Sequence, residues 1–167
     1  MDPPPPIIGI VHLVEAQLPT CPFCQIVRKE VPAEIIYETD DTLAFFPLEP
    51  ATRGHTMIIP KRHIRSFLDA EPRDIEPLGL TTLRVGVALQ NVLRPEGMNL
   101  ISSAGEAASQ TVEHLHIHLV PRWVDDAVGE IWPPKHPTAD AVLEGVADAL
   151  REFCGTERLE NRNPEKH

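Results

Sequence analysis

The sequence predicts an α+β fold with an antiparallel sheet, and three observations lead to this class. Five short apolar segments fall within residues 34–121, and a single long helical pattern interrupts them, without the regular β-α alternation of a parallel sheet. The chain has 167 residues, which suits one domain with its own core. Its hydrophobic content of 42% is ordinary for a globular protein.

The predicted strands are short segments bounded by turn residues. The first two surround an Asp40-Asp41 turn, and the third follows an Arg53-Gly54 turn. The five segments are residues 34–39, 42–48, 55–60, 98–103 and 114–121. Because regular helices do not separate them, we expect these segments to pair as one antiparallel sheet.

Two longer helices are predicted. The first runs from about Glu76 to Leu93, with Pro77 tolerated in its first turn. Its apolar side consists of Leu80, Leu83, Val87 and Val92. The last helix starts near Thr138 as its N-cap and ends at Gly155. The side chains that we expect it to bury are Leu143, Val146, Leu150 and Phe153.

The chain divides into four predicted segments. Residues 1–20 form an N-terminal arm, in which Pro3 to Pro6 favour polyproline II. Residues 21–136 form the domain, residues 137–156 the C-terminal helix, and residues 157–167 a polar tail. We expect the tail to be frayed because it has little to bury.

The charge balance excludes some classes of partner. Lys+Arg number 15 against 25 for Asp+Glu, and the net charge of −10 argues against nucleic acid and against an anionic membrane surface. No apolar run approaches the roughly 20 residues of a membrane span. The proline-rich start also lacks the basic region of a signal peptide. A cytoplasmic location is therefore predicted.

The segment TVEHLHIHLVPRW, residues 111–123, carries a histidine at every second position over part of its length. The histidines are His114, His116 and His118, and the apolar residues that alternate with them are Leu115, Ile117 and Leu119. In a strand, residues i, i+2 and i+4 share a face, so the apolar residues would fill a core behind the histidines. Such a row is typical of a metal site or of a catalytic site, and the row alone leaves both open.

A second set of residues can take up the metal-binding role. Cys21 and Cys24 offer two thiolates at the x₂ spacing that is common in zinc sites. In a cytosolic chain such a pair more often binds metal or performs redox chemistry than forms a structural disulfide. With His63 and His114 it would complete a tetrahedral Cys₂His₂ site and leave the other two histidines of the row for chemistry. We assign no role to Cys154.

Two free histidines beside a polar loop fit phosphoryl chemistry. A neutral imidazole can attack phosphorus and form a covalent intermediate, here a phosphoramidate on His116. The loop before the row could donate hydrogen bonds to a transferring phosphoryl group. Its candidate donors are Ser102, Ser103, Gln110 and Thr111.

Several stretches of the sequence follow one known family in order. They are CPFCQIVRKEVPAEIIYETDDTLAFF, RGHTMIIPKRHI, NLISSAGEAASQTVEHLHIHLVPR and GEIWPPKH, and HLHIHLVP within them has the form His-φ-His-φ-His-φ-φ, where φ is apolar. The sequence thus resembles the histidine triad (HIT) family over about residues 21–136. Within that family it is similar to the zinc-containing branch that resembles nucleotidyl hydrolases.

This resemblance implies a two-layer α+β fold with a five-stranded antiparallel sheet, one long helix and a C-terminal helix. It implies a homodimer in which the long helix and a strand pair across the two-fold axis. It also implies a purine nucleotide or a nucleotide conjugate as ligand. The family's middle histidine attacks the α-phosphate and forms a nucleotidyl-histidine, from which water releases NMP.

The resemblance assigns roles to matching positions of this chain. His116 matches the nucleophile, His118 matches the histidine that contacts the phosphate or leaving group, and His55 matches the histidine that orients the nucleophile by hydrogen bonding. The positions that match structural zinc ligands are Cys21, Cys24, His63 and His114. The positions that match the nucleotide-binding site are Phe23, Ile26, Phe45, Leu48, Ser103, Gln110 and Thr111.

Three positions bear on the kind of activity. Uridylyltransferase-like relatives carry glutamine where this chain has His118, so a hydrolase is favoured. Pro47 replaces an aspartate that grips the ribose in many members, and Ser103 replaces an asparagine. The first hypothesis is a hydrolase that cleaves an NMP-X bond of the phosphoramidate or dinucleoside polyphosphate type. The alternatives are a nucleotidyltransferase or phosphorylase with the same intermediate, and a zinc-stabilised nucleotide-binding module with weak catalysis.

Overall fold

The computed structural model describes residues 20–132 and 140–156. The predicted arm up to residue 19, the predicted N-cap Thr138 and the polar tail after residue 156 lie outside the described residues. The boundary between the domain and the C-terminal helix therefore stays a prediction. No helix in the described ranges combines the length and the apolar character that a membrane crossing requires.

Five antiparallel strands form one sheet, and the predicted fold class is confirmed. The strands are β1 (Glu34–Glu38), β2 (Thr42–Phe46), β3 (Thr56–Pro60), β4 (Gly97–Ile101) and β5 (Ile117–Arg122). Their order in the sheet is β1-β2-β3-β5-β4. The α-helices are α1 (Pro22–Val27), α2 (Pro72–Leu93) and α3 (Asp140–Thr156).

The pairing register of the central strands separates two faces of the sheet. Two neighbouring rows across β2, β3 and β5 are Ala44-Ile58-Ile117 and Phe45-Met57-His118. Because successive side chains in a strand alternate in direction, these rows point to opposite sides. The first row packs with Leu78, Val85 and Leu89 of α2. The second row joins a cluster with Phe23 of α1, so the histidine row lies on the α1 side of the sheet.

Helix α2 begins one turn earlier than the sequence pattern predicts. Pro72 occupies its first turn, and Glu71 and Asp74 form a reciprocal capping box around its start. Asp74 also accepts a bidentate ion pair from Arg62 of the loop after β3. The predicted position of Pro77 in the first turn is therefore wrong, and Pro77 lies inside the helix.

The buried side of α2 also differs from the predicted apolar side. The buried apolar and threonine residues of the helix are Leu78, Thr81, Thr82, Val85 and Leu89. The predicted residues are 52 to 79% exposed, and they are Leu80, Leu83, Val87 and Val92. The apolar pattern of the sequence did not show this side, because threonine is a polar residue. In the fold, Thr82 donates to the carbonyl of Leu78, and Thr81 shares a 2.7 Å hydrogen bond with Thr42. Their hydroxyls are satisfied and can be buried.

Helix α3 matches its predicted position but not its predicted burial. Its apolar residues Leu143, Val146, Leu150 and Phe153 are 52 to 57% exposed. Their spacing does place them on one side of the helix. An amphipathic pattern alone does not supply a packing partner, and the prediction that α3 buries these residues is wrong for the described chain.

Candidate functional site

The histidine row begins before β5 rather than inside it. Only His118 belongs to the strand, so the predicted strand 114–121 starts too early. The preceding backbone leaves the sheet because it takes other partners, and the N–H of Leu115 donates to the carbonyl of Ile64. The first two histidines of the row are nevertheless buried, and Leu115 joins the core beneath α2 as predicted.

Four side chains predicted as zinc ligands come together beside α1. The ligand atoms of Cys21, Cys24, His63 and His114 all lie within 4.8 Å of one another. Nδ1 of His63 is 3.3 Å from Sγ of Cys24, and Nδ1 of His114 is 3.5 Å from Sγ of Cys21. Tetrahedral zinc, with Zn–S bonds of about 2.3 Å and Zn–N bonds of about 2.0 Å, holds sulfur and nitrogen ligands about 3.5 Å apart. The cluster therefore fits a zinc ion.

A backbone carbonyl orients His114 for metal binding. Nε2 of His114 lies 2.9 Å from the carbonyl oxygen of Pro60. Because a carbonyl only accepts, Nε2 carries the proton and Nδ1 directs its lone pair at the cysteines, an arrangement that is common around zinc. Burial lowers the pKa of His114 to about 4, and burial also lowers the pKa of His63. Both rings therefore favour the neutral form that binds metal.

Local structure explains how this cluster assembles. Cys21 is the N-cap residue of α1, and Cys24 lies within its first turn, so the helix brings the two thiols together. The N–H of Gln25 closes that turn on the carbonyl of Cys21. His63 follows β3 by three residues. A bound ion would thus cross-link α1, the loop after β3 and the segment before β5.

The ring of His116 is held with one nitrogen free for chemistry. Its Nδ1 lies 2.6 Å from the carbonyl oxygen of His114. The carbonyl can only accept, so Nδ1 donates and Nε2 of the neutral ring keeps its lone pair. Phe23 packs edge-on against the ring at a centroid distance of 5.4 Å, and the Ser102 hydroxyl donates to the carbonyl of His116. These contacts fix the ring and its backbone.

His55 contacts His118 rather than His116, which corrects the expected hydrogen bond to the nucleophile. Nε2 of His55 lies 2.9 Å from Nδ1 of His118, while its Nδ1 accepts from the N–H of Ala51. The sheet explains this pairing, because His55 lies two residues before Met57, the partner of His118 across the β3–β5 ladder. The carbonyl of His114 takes the orienting position that was expected for His55.

The predicted nucleotide-binding residues fall into two groups. Phe23 and Phe45 are buried with ring centroids 5.7 Å apart, and Ile26 packs on the same cluster. Leu48, in contrast, is 96% exposed and does not pack in this cluster, so its predicted contact with the nucleotide stays a prediction. The reason is that β2 ends at Phe46, after which the chain turns away from the sheet.

The side chain of Gln110 stabilises the polar loop before the histidine row through hydrogen bonds to the backbone. Its Oε1 accepts from the N–H of Gly105, and its Nε2 donates to the carbonyls of Arg65 and Val112. The amide N–H groups of Gln110 are therefore engaged with backbone and are not free for the predicted phosphate contact. The other two predicted contacts differ in exposure, since Thr111 is exposed and Ser103 is partly buried.

Three backbone groups shape the site and could not be recognised in the sequence. They are the carbonyls of Pro60 and His114 and the N–H of Ala51. A backbone group carries no residue-specific signal, because almost every residue has the same donor and acceptor. Only the folded chain shows which of these groups meets a histidine ring.

The partly buried ring of His118 predicts a pH dependence of stability. Burial, with smaller contributions from His116 and His55, lowers its pKa from 6.5 to about 4. The unfolded chain takes up this proton first, so stability is complete above about pH 6.5 and falls as the pH decreases to about 4. Relative to His118→Gln, the wild-type free energy of unfolding should fall by about 1 kcal/mol between pH 7.5 and pH 5, after discounting for partial exposure.

Urea denaturation of both proteins at the two pH values measures this difference. The zinc ligands titrate in both proteins, and their contribution cancels in the comparison. A stability difference that stays constant, or that shifts in favour of the wild type at pH 5, would show that the folded protein readily protonates His118.

The chain is similar in sequence and in fold to known proteins. A family profile described as HIT domain matches residues 28–124. An uncharacterised HIT-like protein of Methanocaldococcus jannaschii is 33% identical over 75% of this chain and 98% of its own length. A crystal structure from Streptococcus mutans has a TM-score of 0.78 and 33% identity, and it covers 85% of this chain and 89% of that one. A zinc-bound histidine triad family protein from Mycobacterium smegmatis has a TM-score of 0.60 and 32% identity, with coverage of 83% and 98%.

Proposed function

The chain belongs to the histidine triad (HIT) family, and from this membership we propose that it is a nucleotide-binding hydrolase that cleaves an NMP-X bond. In this proposal X is an amine, a phosphate chain or a second nucleotide, and a nucleotidyl-histidine on His116 is the intermediate. The observation that carries the proposal is the 2.6 Å contact between Nδ1 of His116 and the carbonyl of His114. It leaves a buried, oriented Nε2 lone pair for attack.

The proposed reaction has two displacement steps at phosphorus. Nε2 of His116 attacks the α-phosphorus, the P–X bond breaks, and X leaves with the bonding electrons. The positive charge on the substituted ring is stabilised by the hydrogen bond from its Nδ1–H to the carbonyl of His114. Water then attacks the same phosphorus and releases one proton to solvent, the P–N bond breaks, and NMP leaves while Nε2 of His116 regains its lone pair.

The surroundings of His116 support binding of a nucleotide. Phe23 lies against both His116 and Phe45, so an apolar cluster adjoins the ring of His116. We propose that Phe23, Phe45 and Ile26 border the site of the purine base and ribose, and that Ser103 and Thr111 lie near its phosphate. His118 stands 4.9 Å from His116 between ring centroids, close enough to contact the same phosphate.

The Cys₂His₂ cluster supports a structural role for zinc. All four tetrahedral positions have protein ligands, whereas a catalytic zinc keeps one position for water or substrate. When bound, the ion supplies a cross-link that fixes the backbone of His114, whose carbonyl holds His116. Reduced thiols that serve a metal also fit a cytoplasmic location, which we include in the proposal.

Trapping the intermediate tests the proposal directly. The protein is mixed for a short time with an adenosine phosphoramidate or a diadenosine polyphosphate, quenched at neutral pH and analysed by mass spectrometry. We expect a nucleotidyl adduct on the peptide that contains His116. Addition of inorganic phosphate separates the alternatives, because a phosphorylase would form NDP whereas a hydrolase continues to form NMP.

We further propose that the protein is a homodimer in which α2 and β4 meet their counterparts. The outer side of α2 and the edge strand β4 border an open apolar groove of about 490 Å³. Leu83, Val87 and Leu100 line it and are 65, 52 and 60% exposed. An edge strand beside an apolar helix side is a surface that a second copy can cover symmetrically.

Leu83→Glu is expected to turn the dimer into a monomer at micromolar concentration. A charge in the centre of an apolar interface is left without a partner, and the dissociation constant should rise at least about 100-fold. Light scattering coupled to size-exclusion chromatography measures the change. Leu48→Glu is the matched control, because Leu48 is 96% exposed away from this groove. A Leu83→Glu protein that remains dimeric would place the interface elsewhere.

A further inference from the structure

We infer that the backbone amide of Ala51 and the ring of His55 act together to hold His118 as a neutral imidazole with its proton on Nε2. His118 would then donate a hydrogen bond to the substrate and would not transfer a proton to the leaving group. The catalytic consequence rests on the proposed function, whereas the tautomer itself does not. His55 is in this sense a positioning residue.

The chain of hydrogen bonds starts from a backbone N–H, which can act only as a donor. The N–H of Ala51 lies 3.1 Å from Nδ1 of His55 and can only donate. Nδ1 of His55 must therefore present its lone pair, and the proton of the neutral ring is on Nε2. The turn that carries this amide is tied to β5, because the Thr52 hydroxyl donates to the carbonyl of Pro121 at 2.8 Å.

The second link transfers this constraint to His118. Nε2–H of His55 donates to Nδ1 of His118 across 2.9 Å. Nδ1 of His118 is then an acceptor, so its proton is on Nε2, the nitrogen that His55 does not hold. Protonation of His55 would direct its new N–H at the amide of Ala51, and protonation of His118 would direct two N–H groups at each other. Each charged form therefore loses a hydrogen bond.

Burial acts in the same direction as these hydrogen bonds. It lowers the pKa of both His55 and His118, so the neutral forms are favoured before any substrate binds. The titratable rings against His118 are those of His55 and His116, with centroid distances of 5.1 and 4.9 Å. Neither neighbour is an anion that would favour an imidazolium at His118.

The positions of the protons on His116 and His118 limit which leaving groups X the site can release quickly. His116 has its only proton on Nδ1, where the carbonyl of His114 holds it, and the Nε2–H of a neutral His118 is a weak acid. When the P–X bond breaks, X takes the electron pair and leaves without a proton from either ring. Such a site favours an X that is stable as an anion, so we expect phosphoanhydrides, such as dinucleoside polyphosphates, to react faster than phosphoramidates.

Nitrogen NMR tests the tautomer without any need for turnover. In ¹⁵N-labelled full-length protein, long-range ¹H–¹⁵N spectra distinguish the Nε2–H tautomer, the Nδ1–H tautomer and the imidazolium. We expect both His55 and His118 to be neutral with the proton on Nε2 from pH 6 to pH 8. An Nδ1–H tautomer or an imidazolium at His118 at pH 7 overturns the inference.

A matched pair of variants tests the direction of the hydrogen bond. His55→Gln retains an N–H donor for His118, whereas His55→Glu has similar size but only accepts at neutral pH. We expect kcat to fall less than about tenfold in His55→Gln and more than about 100-fold in His55→Glu, with both variants retaining zinc. Equal losses in the two variants would mean that His55 acts only by filling space.

Aryl esters of AMP, with phenols of graded acidity, test whether His118 gives up a proton. A neutral donor predicts that kcat/KM depends steeply on the acidity of the phenol, with the same slope in wild type and in His118→Gln, which keeps an N–H donor. A shallow slope in the wild type that becomes steep in the variant would identify His118 as an acid. Absence of turnover for every ester would count against the proposed function, and the NMR result would still decide the tautomer.

Discussion

Replacement of His116 with alanine is expected to lower kcat at least about 10³-fold and to abolish the nucleotidyl adduct. The physical reason is that, among the residues that the structure describes, only His116 offers a buried ring whose Nδ1–H is held by a carbonyl and whose Nε2 keeps its lone pair, with Phe23 packed edge-on against the ring. Loss of that nitrogen removes the covalent route. Single-turnover kinetics with a phosphoramidate or a dinucleoside polyphosphate, followed by mass spectrometry, measures both effects.

Two controls make this result specific to the nucleophile. His116→Ala should keep its zinc and its affinity for NMP, because the metal cluster and the aromatic rings remain. In His116→Gly, added imidazole should occupy the vacated space and restore part of the turnover. A His116→Ala protein that keeps turnover within about tenfold of the wild type would rule out the covalent mechanism, whatever its substrate.

Replacement of Cys24 with serine is expected to release the zinc and to lower Tm by about 10 °C. Cys24 is 0% exposed, and its thiol lies within 3.3 to 3.6 Å of both histidines of the cluster. Binding of a structural zinc contributes directly to folding, and a loss of about 3–5 kcal/mol corresponds to roughly 2–4 °C per kcal/mol in a chain of this size. Elemental analysis and differential scanning calorimetry measure metal content and Tm.

Cys154→Ser is the matched control for the zinc prediction. Cys154 is an exposed thiol on α3 and does not belong to the cluster, so its replacement should change neither zinc content nor Tm. The wild type stripped with a chelator should resemble Cys24→Ser and should recover its Tm when zinc is restored. A metal-free protein with the Tm of the wild type would remove the stabilising role of the cluster.

The strand pattern was the part of the fold that could be predicted best. β2 and β3 are buried apolar segments between turn residues, and this periodicity depends on local geometry alone. Burial of the helices was predicted less well, because it depends on distant partners. Thr81 and Thr82, for example, can face the core between α2 and the sheet because Thr42 and a backbone carbonyl satisfy their hydroxyls.

In the candidate site too, features that depend on local spacing could be predicted, and features that depend on distant partners could not. The spacing of Cys21 and Cys24 predicts two thiolates for one metal, and the structure brings them to His63 and His114. The sequence could not show that Leu48 turns outward, because this depends on where β2 ends in the sheet. Nor could it show that Gln110 is taken up by backbone contacts within its own loop.

The sequence by itself determined the chemical groups of this protein: two thiols, a row of histidines and the apolar residues that alternate with them. The tertiary structure alone decided which nitrogen of each ring is available. A carbonyl frees Nδ1 of His114 for metal, another carbonyl frees Nε2 of His116 for attack, and an amide acting through His55 leaves the proton of His118 on Nε2. The reason is physical, because tautomers are set by backbone donors and acceptors that almost every residue carries, and only folding brings a particular one to a particular ring.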